Sequence, residues 1–252
     1  MFLHWQARQV DIERPTYYSV TTAGTIALVA GRFNSALDLS QGGVTYNTSV
    51  YSSPPPPTPP TFLGIENSTL YTLECWVYGT TTGTILTLGT ATYNISTVGT
   101  DWHTIKLHIS SSAVKATFKY YSSGTFFQED ADALSQSVTA AQWNHICLTK
   151  TSNSAEGTWL LRVNGAAGST YSADFGAVTS GAYQVLDLRN FTIGSTSSFA
   201  GPHTDEVRLS STTRYGTSGT YVVPTGEFTQ DVNTKLLTHL DSLLLPAYYS
   251  TF

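Results

Sequence analysis

From about residue 23 to residue 241 the chain is a succession of short apolar–polar runs broken by turn residues. "YTLECWVYG", Tyr71 to Gly79, alternates as a half-buried strand does. "TIALVAG" and "SALDLS" precede it, and "GTILTLGT" and "ATYNIST" follow it, divided by Gly and Thr turns. "DWHTIKLHIS" reads as a strand and "AVKATFKYYSSG" as its neighbour. "QWNHICLTKTSNSAEGTWLLRVNG" reads as a hairpin, ending on the turn dipeptide Asn164-Gly165. "FTIGS" and "TDEVRLS" add two more strands. "QEDADALSQSV" is the one weak helical candidate, and its acids Glu129, Asp130 and Asp132 favour a solvated loop.

Many short strands at turn-rich spacing predict an all-β sandwich or barrel. No helix-alternating pattern argues for an α/β fold, and no fixed-period repeat is present. "SSPPPPTPP", Ser52 to Pro60, holds six of the ten prolines. Proline lacks a backbone donor, so this stretch is expected as a surface polyproline connector or contact arm.

Residues 1–22 differ from the rest. They mix Arg8, Asp11, Glu13 and Arg14 with Phe2, Leu3 and Trp5, then Tyr17 and Tyr18. Disordered tails are poor in aromatics, so an arm that docks on its own core or a neighbour is expected. The tail 242–252 carries three leucines with Tyr248, Tyr249 and Phe252. The expected assembly contacts are therefore Phe2, Trp5, Tyr17, Tyr18, Tyr248, Tyr249 and Phe252, around a domain of residues 23–241.

Composition narrows the function classes. Only 12% of residues are charged, the net charge is -5, and no basic patch stands out. Nucleic-acid binding is disfavoured. No apolar run is long enough to span a bilayer, and the N-terminus lacks the pattern of a signal peptide. Cys75 and Cys147 sit in apolar runs and read as buried thiols, with one disulfide as the alternative.

Six blocks carry a resemblance. They are "GRFNSALDL", "YTLECWVYG", "QWNHICLTK", "LRVNG", "FTIGS…FAGPHTDEVRLSSTTRY" and "FTQDVNTKLLTHLD". In this order they resemble laminin G-like jelly rolls of the concanavalin A-like lectin and glucanase superfamily. Cys75 and Cys147 stand where that pattern usually has alanine. The resemblance implies an all-β, two-sheet antiparallel jelly-roll sandwich. The wording "DEVRLSSTTRY…LLTHLD" is similar to laminin G-like domains in virion proteins of tailed bacteriophages.

Candidate chemistry is sparse. Retaining glycosidases of this superfamily carry a Glu-x-Asp-x-x-Glu pattern or one close to it, placing two carboxyls together. Glu129, Asp130 and Asp132 do not fit that spacing. Asp205 and Glu206 are adjacent and should point to opposite faces of a strand. Asp205 is expected to face inward beside Val207 and Leu209, tied to backbone donors. Glu206 and Arg208 are expected as a same-face pair, and Arg214-Tyr215 as the anchor of the excursion "GTSGTYVVPTGEF". Asp205, Glu206, Arg208 and Arg214 thus form a structural tie. No catalytic residue, metal ligand or cofactor is assigned; calcium through scattered oxygens stays open. His103 and His145 read as parts of the fold.

The expected role is a non-enzymatic virion structural protein of a bacteriophage, in capsid decoration or tail, assembled in the host cytoplasm. Its expected partners are other virion proteins, further copies of itself and glycans. A lectin outside a virion is the alternative, and a polysaccharide hydrolase ranks last.

Overall fold

The computed structural model describes residues 18–48, 70–88, 102–122, 126–152, 157–173, 185–186, 190–195 and 201–241. The proline-rich stretch, "ATYNIST", the tail, and the expected contacts Phe2, Trp5, Tyr17, Tyr248, Tyr249 and Phe252 lie outside these residues.

The described residues form sixteen strands. In chain order these are β1 (Tyr18–Gly24), β2 (Ala27–Ala30), β3 (Ser35–Asp38), β4 (Gly42–Thr48), β5 (Tyr71–Tyr78), β6 (Gly83–Leu88), β7 (Trp102–Ser110) and β8 (Ala113–Ser122). There follow β9 (Phe126–Ser137), β10 (Trp143–Lys150), β11 (Gly157–Val163), β12 (Ser169–Ala173), β13 (Val185–Leu186), β14 (Asn190–Gly194), β15 (His203–Ser210) and β16 (Thr234–Thr238). One sheet runs β1-β4-β14-β6-β7-β8-β9, with β13 attached to β7. The other runs β12-β11-β10-β5-β15-β3-β2, with β16 attached to β15. Apart from the short parallel pairing of β13 with β7, every pairing is antiparallel. The fold is an all-β sandwich of two antiparallel sheets.

Alternation dictates which face each strand buries. In the second sheet Leu73, Cys75 and Val77 of β5, Ile146 and Leu148 of β10, and Val207 and Leu209 of β15 point inward. They meet Leu86, Ile105, Leu107, Phe118 and Ile193 of the first sheet in one continuous core. Each such fully buried side chain contributes about 1.5–3 kcal/mol. The alternate positions of β5, Thr72, Glu74, Trp76 and Tyr78, point outward.

Three expectations change. "QEDADALSQSV" belongs to β9, a strand paired with β8, and is neither helix nor loop. A register shift, with Asp132 at φ 55°, lets the acidic run bend while Leu134 still reaches the core. The boundary at residue 22 falls inside β1, because Tyr18 to Gly24 pair without a break with Thr48 to Gly42 of β4. The third change is in β15, where the register to β5 shifts between Asp205 and Arg208 and Glu206 sits at φ 49°. This is a β-bulge, and it resets which side chains share a face.

Candidate functional site

The outer face of the second sheet is built in cross-strand rows. Residues paired across strands share a face, so the pairings Cys147–Glu74–Arg208, His145–Trp76–Asp205 and Trp143–Tyr78–His203 define three rows. The first two rows lie under a strap, residues 211–233, that connects β15 to β16. Among the described residues no strap covers the third row.

Glu74 is the centre of the covered part and is fully buried. Its Oε1 accepts from Arg208 Nε at 2.7 Å, and its Oε2 from the Tyr215 hydroxyl at 2.6 Å. His145 Nε2 stands 3.2 Å from Oε2, and His145 Nδ1 lies 2.6 Å from the Tyr221 hydroxyl. Burial pushes the Glu74 carboxyl up, but the His145 hydrogen bond and the Arg208 charge more than offset it, and the net direction is down. Burial pulls the His145 imidazole down despite Glu74. Burial also drives both tyrosine hydroxyls well above their ordinary range. One protonation pattern satisfies every contact: ionised Glu74, neutral His145 donating through Nε2, and both tyrosines donating.

The strap is tied to this network along its length. Arg162 donates to the carbonyls of Tyr215 and Gly216 and lies over the Tyr221 ring. Arg208 donates to the Thr229 carbonyl and lies over Phe228. Arg214 grips Asp231 through two bonds of 2.8 Å each and takes the Thr72 hydroxyl through its own backbone N–H. Phe228, Trp76 and Leu237 close a small second core over the sheet.

The expected tie residues sit here, with changed partners. Asp205 pairs in register with Trp76 and so shares the outer face, not the core face of Val207 and Leu209. The inserted residue of the bulge causes the reversal. Asp205 Oδ2 accepts the Phe33 backbone N–H at 3.0 Å, while Oδ1 has no partner. Burial drives its carboxyl up to about 7; the Phe33 bond opposes this and the Glu206 charge adds to it. Glu206 turns to His239 Nδ1 at 2.6 Å and to the Phe228 N–H at 2.7 Å, and Arg208 goes to Glu74. The same-face Glu206–Arg208 pair is replaced by these partners.

Of the three acids in "QEDADALSQSV", Asp132 is engaged by Lys115 at 2.8 Å and His108 at 3.0 Å. Cys75 faces the core and Cys147 the outer face of the neighbouring strand, so both thiols are free and buried. Among the described residues no three His, Cys, Asp or Glu side chains group to hold a metal ion.

The open row is different in kind. Trp143, Tyr78 and His203 stand side by side on β10, β5 and β15, and Asp38 continues the row on β3. Tyr78 is 37% exposed. Its ring stacks on His203 at 5.9 Å and 17°, and meets Trp143 edge-on at 5.6 Å. Asp38 Oδ1 lies 3.9 Å from His203 Nε2 and accepts the Ser40 N–H. Burial raises the Asp38 carboxyl, but the Ser40 bonds and His203 bring it below its ordinary value. Four strands at about 4.8 Å spacing make a row roughly 14 Å long. An exposed aromatic surface ending in a carboxylate and an imidazole can stack on an apolar ring face and fix hydroxyls at its end.

Sequence reasoning named none of Glu74, Arg162, Tyr221, Tyr78, Trp143 or Asp38. Glu74 had a signal, an acid inside an otherwise apolar strand. The row had none, since its four members lie on four separate strands.

No family model and no curated protein matches the chain. Among solved structures it is similar to the globular domain of T. cruzi calreticulin, at 10% identity and TM-score 0.44, over 79% of this chain and 88% of that one. It is also similar to a protein of unknown function from Shewanella oneidensis MR-1, at 9% identity and TM-score 0.41, over 76% of each chain. A polysaccharide lyase family 18 enzyme aligns at 8% identity and TM-score 0.28, over 74% of this chain and 69% of that one.

Proposed function

We propose that the chain is a non-enzymatic surface module of a bacteriophage virion, in capsid decoration or tail, that adheres to glycans. The observation that carries the adhesive part is the open row Trp143–Tyr78–His203–Asp38 on the outer face of the second sheet. Pyranose rings present apolar C–H faces to aromatic rings and hydroxyls to carboxylates, and the row offers both. The absence of catalysis is supported by the acids themselves. Glu74 and Glu206 are buried and saturated by protein donors, so neither faces a substrate. The virion setting rests on the sequence likeness of "DEVRLSSTTRY…LLTHLD", and other virion proteins and further copies are its expected partners.

The test is binding of the full chain to a panel of polysaccharides, beside Tyr78→Ala and Trp143→Ala. Loss of stacking at either ring should weaken binding roughly tenfold, the equivalent of about 1.4 kcal/mol. Binding that ignores both substitutions would remove the row from the mechanism. Product release from the same panel would sink the non-enzymatic reading. Mass spectrometry of purified particles separates a virion module from a lectin that acts outside one.

A further inference from the structure

Residues 18–31 run along two sheet edges and carry neither a charge nor a proline. β1 ends one sheet and β2 ends the other, and only Thr25 and Ile26 separate them. Among the described residues β1 pairs only with β4, and β2 only with β3, both in unbroken register. Among the described residues each therefore presents an unpaired row of backbone donors and acceptors on its far side. Natural edges are guarded by lysine, proline, bulges or inward charges, because an open ladder is a template for another strand. The opposite edge of the first sheet follows that rule: β9 carries Glu129, Asp130 and Asp132 together with a register shift. β2 carries no charge, proline or bulge, and its one guard is its length of four residues. Ala27 and Ala30 are exposed, and Leu28 is 38% exposed, one of few large apolar side chains in the described residues to be so.

We infer that β2 is the contact of a twofold dimer, paired antiparallel with β2 of a second copy. Such a pairing, centred on Leu28, sets Leu28 opposite the partner's Leu28, Ala27 opposite the partner's Val29 and Ile26 opposite the partner's Ala30. Every residue that meets across the axis is apolar and uncharged. A foreign strand would be selected by pockets for its alternate side chains or by charge, and this edge offers neither. An identical edge meets it without like-charge repulsion, satisfies the free ladder groups and covers Leu28. The isologous pairing also closes, so it ends at two copies and does not grow.

The pairing has a consequence for adhesion, which rests on the glycan reading above. A twofold normal to the sheet leaves the same face up in both copies. The two Tyr78 rows then face one way, about 34 Å apart over seven strand spacings. Two sites on one rigid face engage a surface polysaccharide with avidity that one site lacks.

The test is the mass of the full chain in solution, by light scattering and sedimentation across the nanomolar to micromolar range. The wild-type chain should be a dimer at micromolar concentration. Leu28→Lys should weaken it at least about tenfold, since like charges then meet across the axis, and Ala30→Lys should weaken it by setting a charge against the partner's Ile26. Circular dichroism and melting on the same samples show whether each variant is folded; Ala30→Lys, at an exposed site, keeps the test alive if Leu28→Lys misfolds. A wild-type monomer throughout, or a dimer that survives both substitutions, overturns the inference. A dimer without glycan binding would uphold the edge and remove the platform; a glycan-binding monomer would do the reverse.

Discussion

Glu74 and Arg208 face each other across β5 and β15, Oε1 to Nε at 2.7 Å, beneath a strap to which neither belongs. Tyr215, from the strap, and His145, from β10, complete the carboxylate. A buried ion pair stabilises little relative to an apolar isostere, but removing one partner strands the other. Glu74→Ala leaves Arg208, His145 and Tyr215 without their common acceptor. It should cost about 3–5 kcal/mol in urea unfolding. Glu74→Gln keeps an acceptor and should cost less. A loss below about 1 kcal/mol for Glu74→Ala would show that the strap, not the pair, holds this face.

The far end of the strap makes a milder prediction. Arg214 and Asp231 form a two-bond fork, and the Arg214 bond holds the Asp231 carboxyl far below its ordinary range. Asp231 is 43% exposed as a side chain, which weakens the pair through solvent screening. Asp231→Ala should therefore cost only about 1 kcal/mol globally. Its clearer sign should be faster limited proteolysis at residues 229–233, a largely exposed stretch that the fork itself holds. Unchanged cleavage there would contradict the fork's role.

Asp205 and His239 set the alkaline side of the stability profile. Burial raises the Asp205 carboxyl from 3.8 to about 7, so the folded state holds that proton more tightly than the unfolded one. The contribution is complete below about pH 4 and is lost as pH rises through about 7. His239 is raised above 6.5 by its bond to Glu206, so its contribution is complete below 6.5 and is lost above its raised value. Both signs agree: stability should fall from about pH 4 through about pH 7 on account of Asp205, and further above pH 6.5 on account of His239. Asp205→Asn keeps an acceptor for the Phe33 N–H and removes one titration. It should flatten the slope and stabilise the chain at the alkaline end by roughly 1–3 kcal/mol. Parallel profiles for the two proteins would falsify the assignment.

The two cysteines give a direct check on the sandwich. Cys75 lies in the core and Cys147 under the strap, and burial pushes the Cys147 thiol up to about 12. Cys75 is driven up in the same way. Neither forms the reactive thiolate at neutral pH. A thiol reagent should find no reactive group in the native chain and both in denaturant. A reading of none in denaturant would mean a disulfide, which their opposite faces forbid.

The parts of this fold that local pattern can express are legible in the chain. Alternation in "YTLECWVYG" places Leu73, Cys75 and Val77 inward, and the structure agrees because β5 pairs without a shift along β10. The same rule fails at Asp205, since one inserted residue at Glu206 reverses the face of everything before it. No single-strand pattern announces a bulge when the residue in the left-handed conformation is a glutamate. β9 fails for a related reason, as a register shift beside Asp132 breaks its alternation. The candidate site is the least legible part. Trp143, Tyr78, His203 and Asp38 are spread along the sequence, and only sheet order makes them neighbours. Glu74 is visible as a misplaced acid, but its partners Tyr215 and Tyr221 come from a strap without regular structure.

The open row makes the sharpest functional prediction, because its residues differ in what else they do. Tyr78 is 37% exposed, and its hydroxyl donates to the Ala141 carbonyl at 3.2 Å, in an exposed position. Tyr78→Phe keeps the ring and should bind glycan within about twofold of wild type, since an exposed neutral hydrogen bond contributes about 1 kcal/mol or less. Tyr78→Ala should lose about tenfold in affinity with a smaller loss in melting than Trp143→Ala, because its ring packs on His203 and Trp143 but lies outside the second core. Trp143 is half-buried against the cluster of Trp76, Phe228 and Leu237, so Trp143→Ala should lower both affinity and stability. This separation of ring from hydroxyl, and of Tyr78 from Trp143, is measurable by titration calorimetry beside thermal melts. If Tyr78→Phe lost as much binding as Tyr78→Ala, the hydroxyl and not the ring face would be the contact, and the stacking account would fail.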